Sequence, residues 1–457
     1  MAIKQLTAIK LMEKISAGHI ILASLSEITG GWLALATTAA GKTLLCVSNK
    51  ECPAGALWKA ERVVEEDGLQ IAVLALTPNN AAVVRRFVKW TAPSACGAKG
   101  LSLGFSDWLG LAGTSVATLF ANKQIKPVLV EYTTADSQLV GRNFLEAVDA
   151  ATWGVLEAGY KEGYGANAAG LTSEEEIVKG LLYGYSMIGY DSSHKINLEI
   201  ATLSDLAVET RYLALPEEFR TAIYDSYLKA PTVVGSETLH YTQENISRIV
   251  LEYGEAIMHT QFIYNSYLKN TPWDIDFELL VAKPGCLLTP EEHYFIGHEL
   301  TRNGIKLTAM ALNMAASKEP LAQLKVHSAI AEACNYRLSL MQAEVLAADL
   351  GPIVKNLKGR GYLKMGSVLW LAALACIAQV APQLWRQIAQ VAELEPVEAT
   401  ALTPLTPEGR AYAAVYGRVL APEQQALKAQ ISTVLLEQEQ LYQENIAKTV
   451  KNYLKNV

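Results

Sequence analysis

His293 and His298 share one short run, Thr289 to Arg302, with Glu291, Glu292 and Glu299 beside them. Imidazoles and carboxylates this close together could hold a metal or move protons. A spacing of five turns the two rings to different faces of a helix, whereas three or four would align them. A shared metal is therefore not expected there, and solvated or capping roles are. His259 and His327 stand singly among apolar residues and read as packed helix positions. Ala36 to Thr43 (ATTAAGKT) falls one residue short of a phosphate-cradling loop, which needs Gly at Ala36 and a helix after Thr43. Leu44 to Val47 reads as a strand instead, so a hairpin turning at Ala40-Gly41 is expected. Gly163, Gly165 and Gly170 miss the dinucleotide spacing, and no strand is expected before them. The six cysteines, at 46, 52, 96, 286, 334 and 376, form no C-x-x-C pair and no zinc pattern. They read as reduced, small apolar core residues in a cytoplasmic protein.

The elements that would position such groups alternate along the chain. Strands are expected at Gly100–Phe105, Pro127–Thr133, Ser186–Asp191, Phe277–Val281, Lys306–Leu312, Arg337–Leu340 and Tyr362–Met365, with helices between them. A helix from Phe144 to Glu162 starts at the capping pair Asn143/Glu146, and another, Glu291 to Arg302, at Thr289/Glu292 with Pro290 first in the helix. Repeated alternation predicts an α/β fold, a (β/α) TIM-like barrel, with an N-terminal α/β module and a C-terminal helical extension. The expected division is 1–98 for the mixed α/β module, 99–394 for the barrel with a helical insertion around 199–270, and 395–457 for a linker and C-terminal helices. Glu395 to Pro407 is the linker. Apolar stripes predict one long helix over Ile246–Tyr267 and another over Leu427–Ile446.

Composition excludes several classes of function. Of 457 residues, 51% are apolar and 19% charged, with a net charge of -7, which suits a well-buried globule. No basic stripe marks a nucleic-acid partner. The longest apolar stretch, Val368–Ala378, is too short for a bilayer and is followed by Gln379 and Pro382, so it reads as a buried helix and no membrane is expected. The start lacks the features of a signal peptide.

Four longer segments add a resemblance. Gly104-Phe105-Ser106-Asp107-Trp108-Leu109-Gly110-Leu111-Ala112 resembles the Gly-Phe-Gly-Asp-Arg-Leu-Gly-Leu-Ala motif of tagaturonate epimerases. Asp149 to Ala166 and Thr289 to Ile296 are similar to two further motifs of that family, and the tail from Val415 to Lys451 looks like theirs. The resemblance implies a barrel scaffold and interconversion of tagaturonate and fructuronate in bacterial hexuronate metabolism. It also implies a divalent metal that polarises a carbonyl and acid/base groups that move a proton.

The residues that chemistry requires are replaced. Asn167 stands for the first Asp of the long motif, and Ala169 and Gly170 for its Asp-His pair. Val281-Ala282-Lys283-Pro284-Gly285 stands for Val-Asp-Glu-Thr-Glu, Met341 for a metal His, and Asn313 for an Arg. Gly170 and Met341 are thus degenerate metal positions, and no metal or other cofactor is expected, because Met, Ala and Gly cannot hold a hard cation. The reading that follows is a pseudoenzyme or a ligand- or partner-binding homologue. Its pocket candidates are Asp107, Glu131, Tyr132, Arg142, Asn167, Asp191, Asn313, Gln342 and Lys364. The mouth is expected to be smaller or more apolar than a sugar-acid site, or filled by its own side chains, and to take a carbohydrate acid or a more apolar ligand; a homo-oligomer is compatible with this. Two alternatives stay open. One is an active tagaturonate epimerase with a re-sited metal. The other is a metal-free enzyme of aldolase or isomerase type, with Lys364, Lys283 and Asp191 as candidate catalytic groups and a lysine forming a Schiff base with a keto sugar.

Overall fold

The computed structural model describes residues 3–457. Eight parallel strands close a barrel: β1 (Leu101–Phe105), β2 (Ile125–Thr133), β3 (Gly165–Leu171), β4 (Met187–Asp191), β5 (Asp276–Leu280), β6 (Ala309–Leu312), β7 (Arg337–Leu340) and β8 (Gly361–Met365). They pair in chain order, and β8 returns to β1 through a ladder from Gly361↔Leu101 to Met365↔Phe105. Helices cross between successive strands and cover the outside, as parallel pairing requires. The expected barrel is present, with all seven expected strands and small shifts at their ends.

The eighth, β3, was not expected. Its sequence, Gly-Ala-Asn-Ala-Ala-Gly-Leu, has no β-branched or aromatic residue and so no propensity signal. Packing selects the small residues. A Cβ on Gly165 would stand 2.8 Å from Cys96 Sγ and 2.9 Å from Val128 Cγ2.

Both expected capping boxes form, Asn143 with Glu146 and Thr289 with Glu292. The first of these helices ends earlier than expected, at Ala158, because Gly159 takes φ 63 and closes it with a left-handed cap. The long helix of the insertion is Gln243–Ile263, continued as a π turn to Leu268. The single C-terminal helix expected from the stripe is two, Gln425–Glu437 and Glu439–Tyr453, which meet at the non-helical Gln438. Helix Val368–Val380 is buried as expected and packs against the second of these. Trp108, where the family motif has Arg, stacks on Tyr416 of the tail with ring centroids 3.6 Å apart. The segment expected as a linker is tied down, since Trp385 Nε1 donates to Val397 O (3.0 Å) and Tyr412 Oη to Glu395 O (2.9 Å).

The N-terminal residues form a six-stranded antiparallel sheet. Gly31–Thr38 and Gly41–Ser48 pair as a hairpin across Ala39-Ala40, which confirms a turn rather than a phosphate loop. Helix Gln5–Ser16 covers one face of the sheet, and helix Pro78–Phe87 with the barrel residue Leu156 covers the other. Cys46, Cys52, Cys334 and Cys376 are buried and Cys96 half-buried, but Cys286 is exposed, so it is not the core residue expected. Among the described residues, no helix is long and apolar enough to cross a membrane.

Candidate functional site at the barrel mouth

Alternation along the strands turns every second residue into the bore. Midway up it, Lys364 Nζ lies 2.7 Å from Glu278 Oε2 and 2.9 Å from Glu131 Oε1. Asn167 Nδ2 donates to Glu278 Oε2 (2.8 Å) and to Glu131 Oε2 (3.1 Å), and Tyr362 Oη donates to Glu131 Oε2. Two inward glycines make room for this layer. A Cβ on Gly104 would meet Tyr362 Oη at 2.6 Å, and one on Gly189 would meet Glu278 Oε2 at 3.0 Å. Below the layer, Arg337 Nη1 donates to Ser102 Oγ (2.9 Å) and the guanidinium sits 5.4 Å from the Tyr362 ring centroid. The bottom is closed by the amides of Cys96 and Gly97, which donate to the Asp276 carboxylate at 2.6 and 3.0 Å.

Charge and burial are strongly coupled here. Burial alone would push Lys364 toward neutrality, but the flanking Glu131 and Glu278 carboxylates outweigh it and hold the ammonium well above its usual range. Burial pushes Glu131 up, and the Glu278 charge adds to that shift. Burial also opposes the Glu278 charge, but Lys364 and the hydrogen bond from Asn167 hold that carboxyl down. Several polar atoms in and near the layer are buried without a protein partner: Glu278 Oε1, Asn167 Oδ1, Ser339 Oγ, Arg337 Nε and Nη2, and Asn313 Oδ1. Buried polar atoms of this kind are the usual partners of ordered water or of ligand.

The candidates read from the sequence divide into two groups. Glu131, Asn167 and Lys364 meet in the polar layer. Asp191, Asn313, Gln342, Gly170 and Met341 ring the C-terminal ends of their strands above it. Asp191 Oδ1 accepts from the Ser193 amide (2.8 Å), and Gln342 holds φ 51. Asp107, Tyr132 and Arg142 are not part of this group. Tyr132 points out of the barrel, its hydroxyl donating to Arg142 O (2.9 Å). Arg142 Nη1 donates to Asp107 O (2.7 Å), and the Asp107 carboxylate accepts the Gly110 and Ala112 amides (both 2.8 Å). These three residues fold a turn. Lys283 is also outside, held 2.9 Å from Glu252 Oε1 and paired with Glu292. Burial opposes its charge, but those two carboxylates more than compensate.

Three further groups take roles here that the sequence does not assign them. Glu278 looked like one more residue of a strand, and only the closed barrel turns it toward Lys364. Glu344, 2% exposed, accepts from the Ser367 amide and hydroxyl, both at 2.9 Å, at the start of helix Val368–Val380. Burial pushes its carboxyl up while the Ser367 amide and hydroxyl pull it back. His293 is fully buried, not solvated or capping: Nδ1 lies 2.9 Å from His327 Nδ1 and Nε2 lies 2.9 Å from Tyr336 Oη. One arrangement of protons satisfies most of that chain: His327 Nδ1–H donates to His293, whose Nε2–H donates to Tyr336, whose hydroxyl faces Met310 Sδ at 3.9 Å.

The family model described as tagaturonate epimerase matches residues 22–402. The chain belongs to the tagaturonate epimerase family. A tagaturonate/fructuronate epimerase of Thermotoga maritima is 26% identical over 359 residues, covering 76% of this chain and 73% of that protein. The native crystal structure of a fructuronate-tagaturonate epimerase from Cohnella laeviribosi superposes with a TM-score of 0.87 at 24% identity over 99% of both chains. A glycerol-complexed structure of the same enzyme gives the same TM-score, 0.87.

The site residues of this family member do not fit the divalent metal that the resemblance implies. Gly170, Ala169, Ala282 and Gly285 offer no side-chain donor and Met341 only a thioether. Among the described residues no group of three or more His, Cys, Asp or Glu is placed to hold a metal ion. The carboxylates of the layer beneath the mouth, Glu131 and Glu278, turn to Lys364 instead. The floor beneath the mouth is charged and hydrogen-bonded through Glu131, Asn167, Glu278 and Lys364.

Proposed function

We propose that this chain is a carbohydrate-binding member of the tagaturonate epimerase family that does not carry out metal-dependent interconversion of tagaturonate and fructuronate. One observation carries the reading: Glu131 and Glu278 are both ion-paired to Lys364, at 2.9 and 2.7 Å. An epimerase of this kind needs carboxylates free to hold a cation or to take a substrate proton, and these two hold an ammonium. Above that layer the mouth offers Asp191, Asn313 and Gln342, side chains that suit hydroxyl groups. Carboxylates there outnumber the one ammonium, so an uncharged sugar or polyol is favoured over a free uronate.

The lysine-dependent alternative has less support. A Schiff base needs a neutral amine, and both Lys364 and Lys283 sit between carboxylates that keep them protonated.

The test is an NMR assay of tagaturonate and fructuronate with purified protein, with and without added magnesium, manganese or zinc. The expected result is no interconversion; turnover proportional to protein would overturn the reading. A thermal-shift panel at fixed ionic strength then compares neutral sugars and polyols with hexuronates. Stabilisation by the neutral set is expected, and preferential stabilisation by uronates would overturn the ligand class.

A further inference from the structure

The loop after β7 reaches across to the start of the helix after β8. In (β/α) barrels this is the edge where backbone amides commonly receive a phosphate or another anion. Helix Val368–Val380 has 13 residues, no acidic residue in its first turn and no side-chain cap from Ser367, its N-cap residue. The amides at this buried helix start therefore need an acceptor. Glu344 supplies one. Oε1 takes the Ser367 amide and hydroxyl, both at 2.9 Å. The backbone of Glu344 is pinned separately, its carbonyl accepting Tyr453 Oη from the C-terminal helix at 2.9 Å. The second carboxylate oxygen, Oε2, is buried and has no partner in the protein, although the residue is only 2% exposed. A bare carboxylate oxygen enclosed at a helix start lies where an anionic ligand's own oxygen would lie.

We propose that Glu344 is a built-in anion: its carboxylate occupies the oxyanion cradle at Gly366-Ser367 and bars phosphorylated or carboxylated ligand groups from that edge of the mouth. The inference deepens the proposed function by naming the excluded ligand class, sugar phosphates and other ligands that would place an anion at this helix. Glu344 is a specificity residue in this scheme, and its removal uncovers a site for a tetrahedral oxyanion.

The probe is inorganic phosphate, measured by calorimetry and thermal shift against chloride at equal ionic strength, on the full chain as wild type, Glu344→Ala and Glu344→Gln. Glu344→Ala is expected to bind phosphate saturably and at least about tenfold more tightly than wild type, the scale of a partly buried charge at a helix start. Glu344→Gln keeps the cradle filled and is expected to behave like wild type. Equal phosphate binding by wild type and Glu344→Ala would overturn the proposal, as would a folded Glu344→Ala that does not respond. If Glu344→Ala is unfolded, phosphate or acetate added during refolding is expected to restore its circular dichroism spectrum; failure of that rescue would also overturn it. No carbohydrate enters the experiment, so its failure is separable from failure of carbohydrate binding.

Discussion

Lys364 and Glu278 stand on β8 and β5, which are not neighbours in the barrel, yet Nζ and Oε2 are 2.7 Å apart across the bore. The contact is a brace between opposite walls, and Glu131 on β2 makes it three-cornered. Removing the lysine leaves two buried carboxylates facing each other, a loss of about 3–5 kcal/mol for a broken buried pair. Lys364→Met is therefore expected to lower the thermal midpoint clearly. The triple variant Glu131→Gln, Glu278→Gln, Lys364→Met is expected to recover most of the loss, because no unpaired charge remains. Differential scanning calorimetry of the two variants decides this; a single variant as stable as wild type would remove the brace from the account.

Neither clamped lysine is expected to act as a nucleophile. Incubation with a ketose or pyruvate followed by borohydride and peptide mass spectrometry should find no adduct on Lys364 or Lys283. A reduced adduct at either position would restore Schiff-base chemistry to consideration.

The His293–His327 pair predicts acid sensitivity. Burial lowers both rings, and His327 is pulled down to about 4 from 6.5. Between those values the unfolded chain takes a proton that the native ring refuses. Stability is thus whole above pH 6.5 and declines as pH falls toward about 4, by roughly 3 kcal/mol for His327 alone. Urea unfolding at a series of pH values is expected to show that decline in wild type and a shallower one in His327→Gln. Identical slopes would show that the pair titrates normally.

Gly104 is expected to tolerate no side chain. A Cβ there meets the Tyr362 hydroxyl at 2.6 Å and its ring at 2.9 Å. Gly104→Ala must push Tyr362 from Glu131, a cost of about 1–3 kcal/mol for overpacking. The measurement is the thermal midpoint beside Ala117→Gly, a control outside the layer. An unchanged midpoint for Gly104→Ala would mean that the bore has slack.

The fold was legible where side-chain pattern and backbone demand agree. The capping boxes at Asn143 and Thr289 and the apolar runs of seven barrel strands are local signals, readable without the partners they meet. Strand β3 is the opposite case: Gly165 answers to Cys96 and Val128, which lie far away in sequence. The site was half legible for a similar reason. Lys364, Glu131 and Asn167 are among the pocket positions that the family resemblance implies. Glu278, Glu344 and the buried His293 acquire meaning only from what the closed barrel places opposite them. Asp107 and Arg142 illustrate the converse, since their functional-looking chemistry is used to shape a turn.

The ladder between Leu101–Phe105 and Gly361–Met365 has a consequence for biosynthesis. A nascent chain emerges N-terminus first, so β1 leaves the ribosome long before the strand that will cover its free edge. The N-terminal sheet has all its strands by Leu74 and needs nothing later to pair its hydrogen bonds. The barrel instead carries an unsealed, apolar edge through most of translation, the kind of surface that invites pairing between chains. Synthesis slowed before residue 361, or a chain cut short there, leaves that edge open, and the burden of keeping it apart from its neighbours falls on chaperones.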